Sequence, residues 1–573
     1  MDALKSDVAS DVWQDWNGLD WSSIHRTVRR LQTRIAKAVR SGNWRDAKRL
    51  QRLLVRSTSG KALAVRRVTE NRGRKTPGVD RETWSTPECK WKAVQSLQTR
   101  GYRPLPLKRV NIPKTGKRGG PKRPLGIPTM KDRAMQALHL LALDPIAEST
   151  ADANSYGFRS CRSTADAIIQ CMNVLSRKHS SRWLLEGDIR GCFDNISHDW
   201  LCAHVPMDKR ILSGWLKAGF AEHHRLFPTE AGTPQGGNIS PTLANMALDG
   251  LETLLTERFK SRKHKVHMVR YADDFIVTAS SKELLENEVR PVVEAFLGDR
   301  GLELSLEKTR ITHIADGFDF LGWNLRWVSD DLRAIPSKKN RLTLYDKLRR
   351  EIRALRTAEQ ANLILKLNPI IRGWAQYHQP VSVAEIFHKM DHLLFGALWR
   401  WSKRRHPNKS RRWIKRRYFH REGARDWVFA AGKLRLWRFT DFKHRDYHKV
   451  KSEATPYDPR WESYFAERLG RQMKQTVMGR RRLYWVWKQQ DGKCPGCHQP
   501  VTKTTGWNLH HRQWRCNGGS DRLANLALLH PTCHRQYHAL HHGKSESNQD
   551  GEACLDRKLY GRSLPQGEII KAA

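Results

Sequence analysis

Long apolar runs are missing from this sequence. No stretch reaches the roughly 18 residues a membrane-spanning helix needs, so no membrane partner is expected. Cysteine is scarce: ten residues, of which only Cys494 and Cys497 form a close pair. That argues against a disulfide scaffold and suits a reducing cytoplasm. The opening Met1-Asp2-Ala3-Leu4 has neither a basic nor an apolar signal region, so no secretory signal is expected. Acid is short as well. Against 104 Lys and Arg stand 58 Asp and Glu, a net charge of +46 spread along most of the chain. A field of that size favours a polyanion with many phosphates. At 573 residues and 39% hydrophobic content, several domains with buried cores are expected.

Against this basic background the acids stand out. In Arg270-Tyr271-Ala272-Asp273-Asp274-Phe275 two adjacent carboxylates sit between short apolar runs, which predicts strand, tight turn, strand, with both acids at an exposed tip. A second apolar strand, Trp183-Leu184-Leu185-Glu186-Gly187-Asp188, ends on an acid and turns. If the hairpin pairs beside that strand, Asp188, Asp273 and Asp274 converge. Three carboxylates repel unless divalent cations neutralise them. Hard oxygen ligands suit Mg²⁺, and two such ions about 4 Å apart can activate a primer 3′-hydroxyl and stabilise leaving pyrophosphate. An Asp-Asp turn alone is usually only solvated; the rest of the chain supplies the context.

Residues 22–56 read as two helices, with Ile24, Val28, Leu31, Ile35 and Val39 at helical spacing, a break at Ser41-Gly42-Asn43, then Ala47, Leu50 and Leu54. Val110–Lys114 and Lys122–Pro128 read as two strands around a basic tip, with Lys114 and Arg123 as triphosphate contacts. Lys131–Leu143 reads as a helix, another begins near Ser163, and one runs from about Thr242 to Phe259 after the Gly-rich turn Thr233-Pro234-Gln235-Gly236-Gly237. From Ser337 the pattern is helical and basic, with Leu344, Leu348, Ile352 and Leu355 marking a packed helix. Arg372, Arg404, Arg405, Lys409, Arg411 and Arg412 lie on this surface among aromatics, a composition suited to structured RNA. Residues 441–485 are basic and lack clear periodicity. Near the end, Cys494-x-x-Cys497 is followed 33 residues on by His530-x-x-Cys533, a strong signal for structural Zn²⁺.

Taken in order, Gly78-Val79-Asp80, Arg123-Pro124-Leu125-Gly126-Ile127-Pro128, Tyr156-Gly157-Phe158-Arg159, the Asp188 block, Thr233–Gly237, Tyr271-Ala272-Asp273-Asp274 and Phe320-Leu321-Gly322-Trp323 resemble reverse transcriptases. More narrowly, the chain resembles proteins encoded by bacterial group II introns, over residues 22–540. The resemblance implies an α+β multidomain protein: right-hand polymerase fingers and palm, a helical thumb and maturase region, and a C-terminal ββα-metal HNH domain. It implies Asp188 and Asp273 as the main ligands of two Mg²⁺ ions, with Asp274 beside them and Ile189 in the metal and nucleotide set. Phe193 matches the gate that excludes a ribose 2′-hydroxyl, Gln235 the residue against the incoming nucleotide, and Lys308 the group that protonates pyrophosphate. In the C-terminal block His511 matches the general base and Asn525 its orienter. His510, with His534 or His538, matches the ligands of a catalytic Mg²⁺ or Mn²⁺. The family more often carries Cys where His530 stands.

The expected divisions are an N-terminal helical extension (1–70), fingers and palm (71–335), thumb and maturase (336–440), a basic DNA-binding region (441–485), the HNH domain (486–545) and a tail (546–573). The expected partners are intron RNA, target DNA and dNTPs, in a bacterial cytoplasm and at the nucleoid when on target DNA. Two other readings compete. A free-standing reverse transcriptase would lack the basic helical region and the HNH block. A non-catalytic splicing factor would have broken acidic motifs, and here all three carboxylates stand.

Overall fold

The computed structural model describes residues 15–113, 122–223, 225–381, 383–477, 481–503 and 505–541. The chain is a mixed α+β multidomain protein. It opens with the expected helices, Trp21–Arg40 and Trp44–Arg56, each with a side-chain N-cap: Asp20 accepts from the N–H groups of Ser22 and Ser23, and Asn43 from Asp46. A third helix, Thr58–Glu70, was not predicted. It is apolar on most sides, with Ala62, Ala64, Val65 and Val68 fully buried, so it shows no amphipathic stripe to read. These helices pack on Met130–Thr150, which runs a full two turns past the expected Leu143 and through Pro145. The expected helix from Thr242 to Phe259 is two, Ser240–Leu248 and Leu251–Arg258, broken where Gly250 takes φ +97°.

Two sheets frame the centre. One runs Lys122–Ile127, Leu107–Pro113, Phe220–Glu222, Arg225–Phe227; the first pair is the expected antiparallel hairpin, with Val110 opposite Leu125. The other is antiparallel throughout, in the order His267–Tyr271, Asp274–Ala279, Trp183–Asp188, Arg310–His313. Gly187 faces Phe275 across this sheet, and a Cβ there would stand 2.2 Å from the Phe275 ring. Only glycine lets the ring lie across the strand beside Asp188.

Beyond a small sheet, Phe320-Leu321-Gly322-Trp323 turns the chain tightly, with Leu321 and Gly322 both at positive φ. Trp323 is fully buried and stacks on Tyr377, centroids 4.4 Å apart. That contact joins the sheet to a helical module: Lys338–Ala354, Gln360–His378, Ala384–Arg405 and Arg411–Tyr418, with Leu344, Leu348 and Ile352 inward as their spacing predicts.

The region read as a basic DNA-binding segment, 441–485, is ordered over its described residues. They cross back over the molecule and continue as the helix Glu462–Thr476. The anchor is Asp166, fully buried, which accepts from Tyr447 Oη (3.0 Å), Val450 N–H (2.7 Å) and Arg468 Nη2 (3.2 Å). Tyr457 donates to Asp144, and Arg40 pairs with Asp458. Buried apolar residues of this segment, such as Val450, Ala454 and Phe465, fall at irregular spacings between polar anchors, which is why no period shows in the sequence here. The strands Asn508–His511 and Leu526–Leu529 and the helix Pro531–His541 close the described chain as a ββα unit. It rests on the stretch before the first helix: Gln536 Nε2 donates to the carbonyls of Asn17 (2.6 Å) and Leu19 (2.9 Å). No helix is long and apolar enough to cross a membrane among the described residues.

Candidate active sites

The register brings the predicted acids together. Asp188 lies directly opposite Asp274, and Asp273 sits in the turn beside left-handed Ala272. The tip is half-buried rather than exposed, because Gly157 packs against Tyr271 and Ala272. Burial first, then the charges of Asp273 and Asp188, push the Asp274 carboxyl up to about 7. Asp273 is raised too, by burial and then by Asp188, against the pull of Arg123 and Lys308. Lys308 Nζ stands 2.9 and 3.1 Å from the two oxygens of Asp188, and that hydrogen bond raises its own pKa. The three acids thus share a site in which cations, here Lys308 and Arg123, are needed to hold negative charge.

Around them stand the other predicted residues. Phe193 lies on the short turn Cys192–Asn195 that follows Asp188. Gln235 Nε2 donates to both oxygens of Asp194, at 3.1 and 3.2 Å, while its carbonyl accepts from Gly126 N–H at 2.8 Å. A cavity of about 310 Å³ opens between Phe193, Gln235, Arg109 and Phe220. Ile189 has a buried side chain, so only its backbone can reach a metal or nucleotide. Lys114 lies outside the described residues.

The sequence reading missed what fixes the hairpin. Arg270, 1% exposed, pairs with Asp249, reaches Asn245 Oδ1 at 3.3 Å and the Ala272 carbonyl at 3.4 Å, and lies 4.0 Å from Asp152. Beside it Arg159 forks onto Glu148 at 3.0 and 2.9 Å. The available signal was a lone arginine at the inward end of an apolar strand.

In the ββα unit, Cys494, Cys497, His530 and Cys533 are all buried, their ligand atoms within 4.8 Å of one another. His530 Nδ1 lies 3.2 Å from Cys497 Sγ, and its Nε2 donates to the Pro500 carbonyl at 3.2 Å, which fixes Nδ1 as the free donor atom. Three thiolates and an oriented imidazole in a tight buried group fit Zn²⁺. Arg66, on the unpredicted third helix, places Nη2 3.5 Å from Cys533 Sγ, a cation beside a thiolate-rich centre.

His510, His534 and His538 form a second group within 4.8 Å, so the structure gathers both alternatives rather than choosing. Burial, then neighbouring imidazoles, lower His510 and His534 to about 4, keeping them neutral and able to ligate. His510 Nε2 is buried with no hydrogen-bond partner among the described residues. Alternation along the strand puts His511 on the other face, where its Nε2 meets Asp521 Oδ1 at 2.8 Å. Asp521 also accepts from Arg515 at 2.6 Å, and these bonds hold its carboxyl down at about 2. Asp521 was not foreseen; it reads as an ordinary loop acid after Gly518-Gly519. Asn525 accepts from Gln513 N–H (2.7 Å) and donates to the Gln513 and Ser520 carbonyls (3.0 and 2.8 Å), bracing the loop that leaves His511.

On the helical module Arg404, Lys409, Arg411 and Arg412 are exposed and Arg372 is half-buried. Arg405 turns inward instead: its Nη1 donates to the carbonyls of Arg356 (3.0 Å) and Ala358 (2.8 Å), with the guanidinium over Trp401. It is spent on closing a helix end.

With this geometry in hand, the comparisons are specific. Residues 112–325 match the family described as reverse transcriptase (RNA-dependent DNA polymerase), and 16–97 the N-terminal domain of reverse transcriptase. Residues 342–419 match the group II intron maturase-specific domain, and 494–540 the HNH endonuclease. Protein YkfC of Escherichia coli K12 is 35% identical over 48% of this chain and 83% of its own length. The chain belongs to the group II intron reverse transcriptase and maturase family. The group II intron-encoded protein LtrA of Lactococcus lactis is 30% identical over 46% of this chain, but only 54% of LtrA is spanned. Maturase-like protein 1 of Euglena gracilis is 25% identical over 63% of this chain and 76% of its own length. This family member therefore joins an RNA-directed DNA polymerase, a maturase domain and an HNH endonuclease in one chain, the equipment of intron splicing and mobility.

Proposed function

We propose that the protein binds the RNA of its intron, supports its splicing, and copies it into target DNA after nicking that DNA. In this reading the antiparallel sheet that carries Asp188 and Asp274 is the palm, the sheet of Leu107–Pro113 and Lys122–Ile127 belongs to the fingers, and residues 336–440 form thumb and maturase region. Residues 1–70, 441–485 and 486–545 are the N-terminal extension, the DNA-binding region and the nuclease. One observation carries it: the strand register that sets Asp188 opposite Asp274, with Asp273 in the turn. Asp188, Asp273, Asp274 and the Ile189 backbone would hold two Mg²⁺ ions, which supply Lewis-acid activation of the primer 3′-hydroxyl and neutralise the leaving pyrophosphate. Arg123 holds the triphosphate of the incoming dNTP, Gln235 lies against the nucleotide, and Phe193 closes the space where a 2′-hydroxyl would sit. Lys308 donates a proton to the leaving phosphate.

In the nuclease, His511 Nε2 meets both Asp521 Oδ1 at 2.8 Å and Arg515 Nε at 3.3 Å; in the tautomer that donates to the closer Asp521, Nδ1 is bare to take a proton from attacking water. His510, His534 and His538 would hold an Mg²⁺ or Mn²⁺ that stabilises charge on the scissile phosphate, while the zinc group is structural. The nicked strand's 3′ end then serves as primer, so the two sites work in sequence. RNA-templated extension with Mg²⁺ and dNTPs tests the palm assignment. Wild type extends the primer and Asp188→Asn does not; full extension by that variant removes the assignment.

A further inference from the structure

Tyr156-Gly157-Phe158-Arg159 is clamped on both sides of its third residue. Tyr156 N–H donates to the Arg270 carbonyl at 2.9 Å, and Arg270 N–H to the Asn154 carbonyl at 3.0 Å. Gly157 lies so close to the catalytic hairpin that a Cβ would stand 2.3 Å from Ala272 N, and its carbonyl accepts from Asn245 at 2.7 Å. Arg159 is buried on Glu148 and the carbonyls of Asp152 and Ser155. Between these fixed points Phe158 takes φ +59° and leaves its side chain exposed, 55% in all. A bulky residue is unfavourable in the left-handed region, and an exposed phenyl ring adds nothing to a core. Its ring meets Phe193 edge to face, centroids 6.0 Å apart and planes at 85°.

We propose that Phe158 is a positioning residue for sugar selection, bracing the ring of Phe193. This rests on reading Phe193 as the sugar gate. Phe193 stands on a single four-residue turn and is only partly buried, packed on the core from one side, so a rotamer change on its open side is restrained by few contacts. An edge contact from a second ring removes that freedom. Because Phe158 is tied to the Asp273 hairpin and Phe193 follows Asp188, the brace holds gate and carboxylates in one frame. The wall that a 2′-hydroxyl meets is then two rings deep.

The test compares kcat/KM for a dNTP and its matching rNTP in RNA-templated extension, for wild type, Phe158→Gly, Phe158→Tyr, Phe193→Ala and the Phe158→Gly/Phe193→Ala double variant. Glycine suits the left-handed backbone, so Phe158→Gly removes the ring without unfolding the loop. We expect its dNTP/rNTP ratio to fall about tenfold, the scale of a lost steric contact in a binding pocket. Phe158→Tyr restores the ratio, and the double variant is no less selective than Phe193→Ala alone, as coupled residues require. A wild-type ratio in Phe158→Gly overturns the brace while leaving the gate intact. A wild-type ratio in Phe193→Ala overturns gate and brace together. Additive losses in the double variant also overturn it, since the rings would then act separately.

Discussion

Arg270 carries its charge into a position 1% exposed, two residues before the catalytic turn, and Asp249 and Asn245 meet it there. Burial already raises the Asp249 carboxyl to about 7, so without Arg270 it stays dry and either keeps its charge unpaired or takes up a proton, and the network to Asn245 is lost. Arg270→Met is therefore expected to lower stability by about 3–5 kcal/mol, read as a fall in denaturation midpoint. A loss within about 0.5 kcal/mol, the scale of an ordinary surface change, would mean that the network does not hold the hairpin. The catalytic acids make a second prediction. With its carboxyl raised to about 7, Asp274 holds a proton below that pH, and a cation must displace it. Mg²⁺ affinity, measured by calorimetry, should rise with pH by up to about tenfold per unit below pH 7 and level off above it, one proton being released. A flat affinity from pH 5.5 to 7.5 contradicts this. The meeting of Asp188 with Asp274, and of Cys494 and Cys497 with His530 and Cys533, was legible because the metal chemistry proposed for them needs those residue types at fixed spacings. Arg270 and Asp521 were not, because their partners Asp249 and His511 become neighbours only through folding.

Among the elements, the strands around the acids were legible from short apolar runs, and the helices of residues 21–56 from their apolar stripe. The helix Thr58–Glu70 was hidden because burial on most sides erases periodicity. The return segment from Tyr447 to Arg468 was hidden because hydrogen bonds to Asp166 and Asp144 share its anchoring with Val450, Ala454 and Phe465, which are buried at irregular spacings and leave no period. The ββα unit is small, so its stability should depend on metal. Cys494→Ser is expected to lose zinc, measured as metal content, and strand nicking with it. His511→Ala should lose nicking while keeping zinc. A folded wild-type unit without zinc would remove the structural role, and nicking by His511→Ala would remove the general base.

At the scale of the molecule, the +46 charge is the feature composition made plainest, and the structure shows where it is free to act. Arg404, Arg411 and Arg412 are exposed and Arg405 is not. Neutralising the three should flatten the salt dependence of intron RNA binding, each lost phosphate contact lowering the log–log slope by about 0.7–0.9. Arg405→Ala should instead lower stability and leave the slope unchanged. An unchanged slope in the triple variant would mean that this face does not meet RNA.

The central claim is that polymerisation belongs to one carboxylate site, separable from RNA binding and from the nuclease. Asp273→Asn tests it most directly, because it removes one metal-binding charge and no phosphate contact. Primer extension on an RNA template, intron RNA binding and target nicking are measured on the same preparation. The account predicts extension abolished, with binding and nicking at wild-type levels. Extension at the wild-type rate, or loss of all three together, would contradict it.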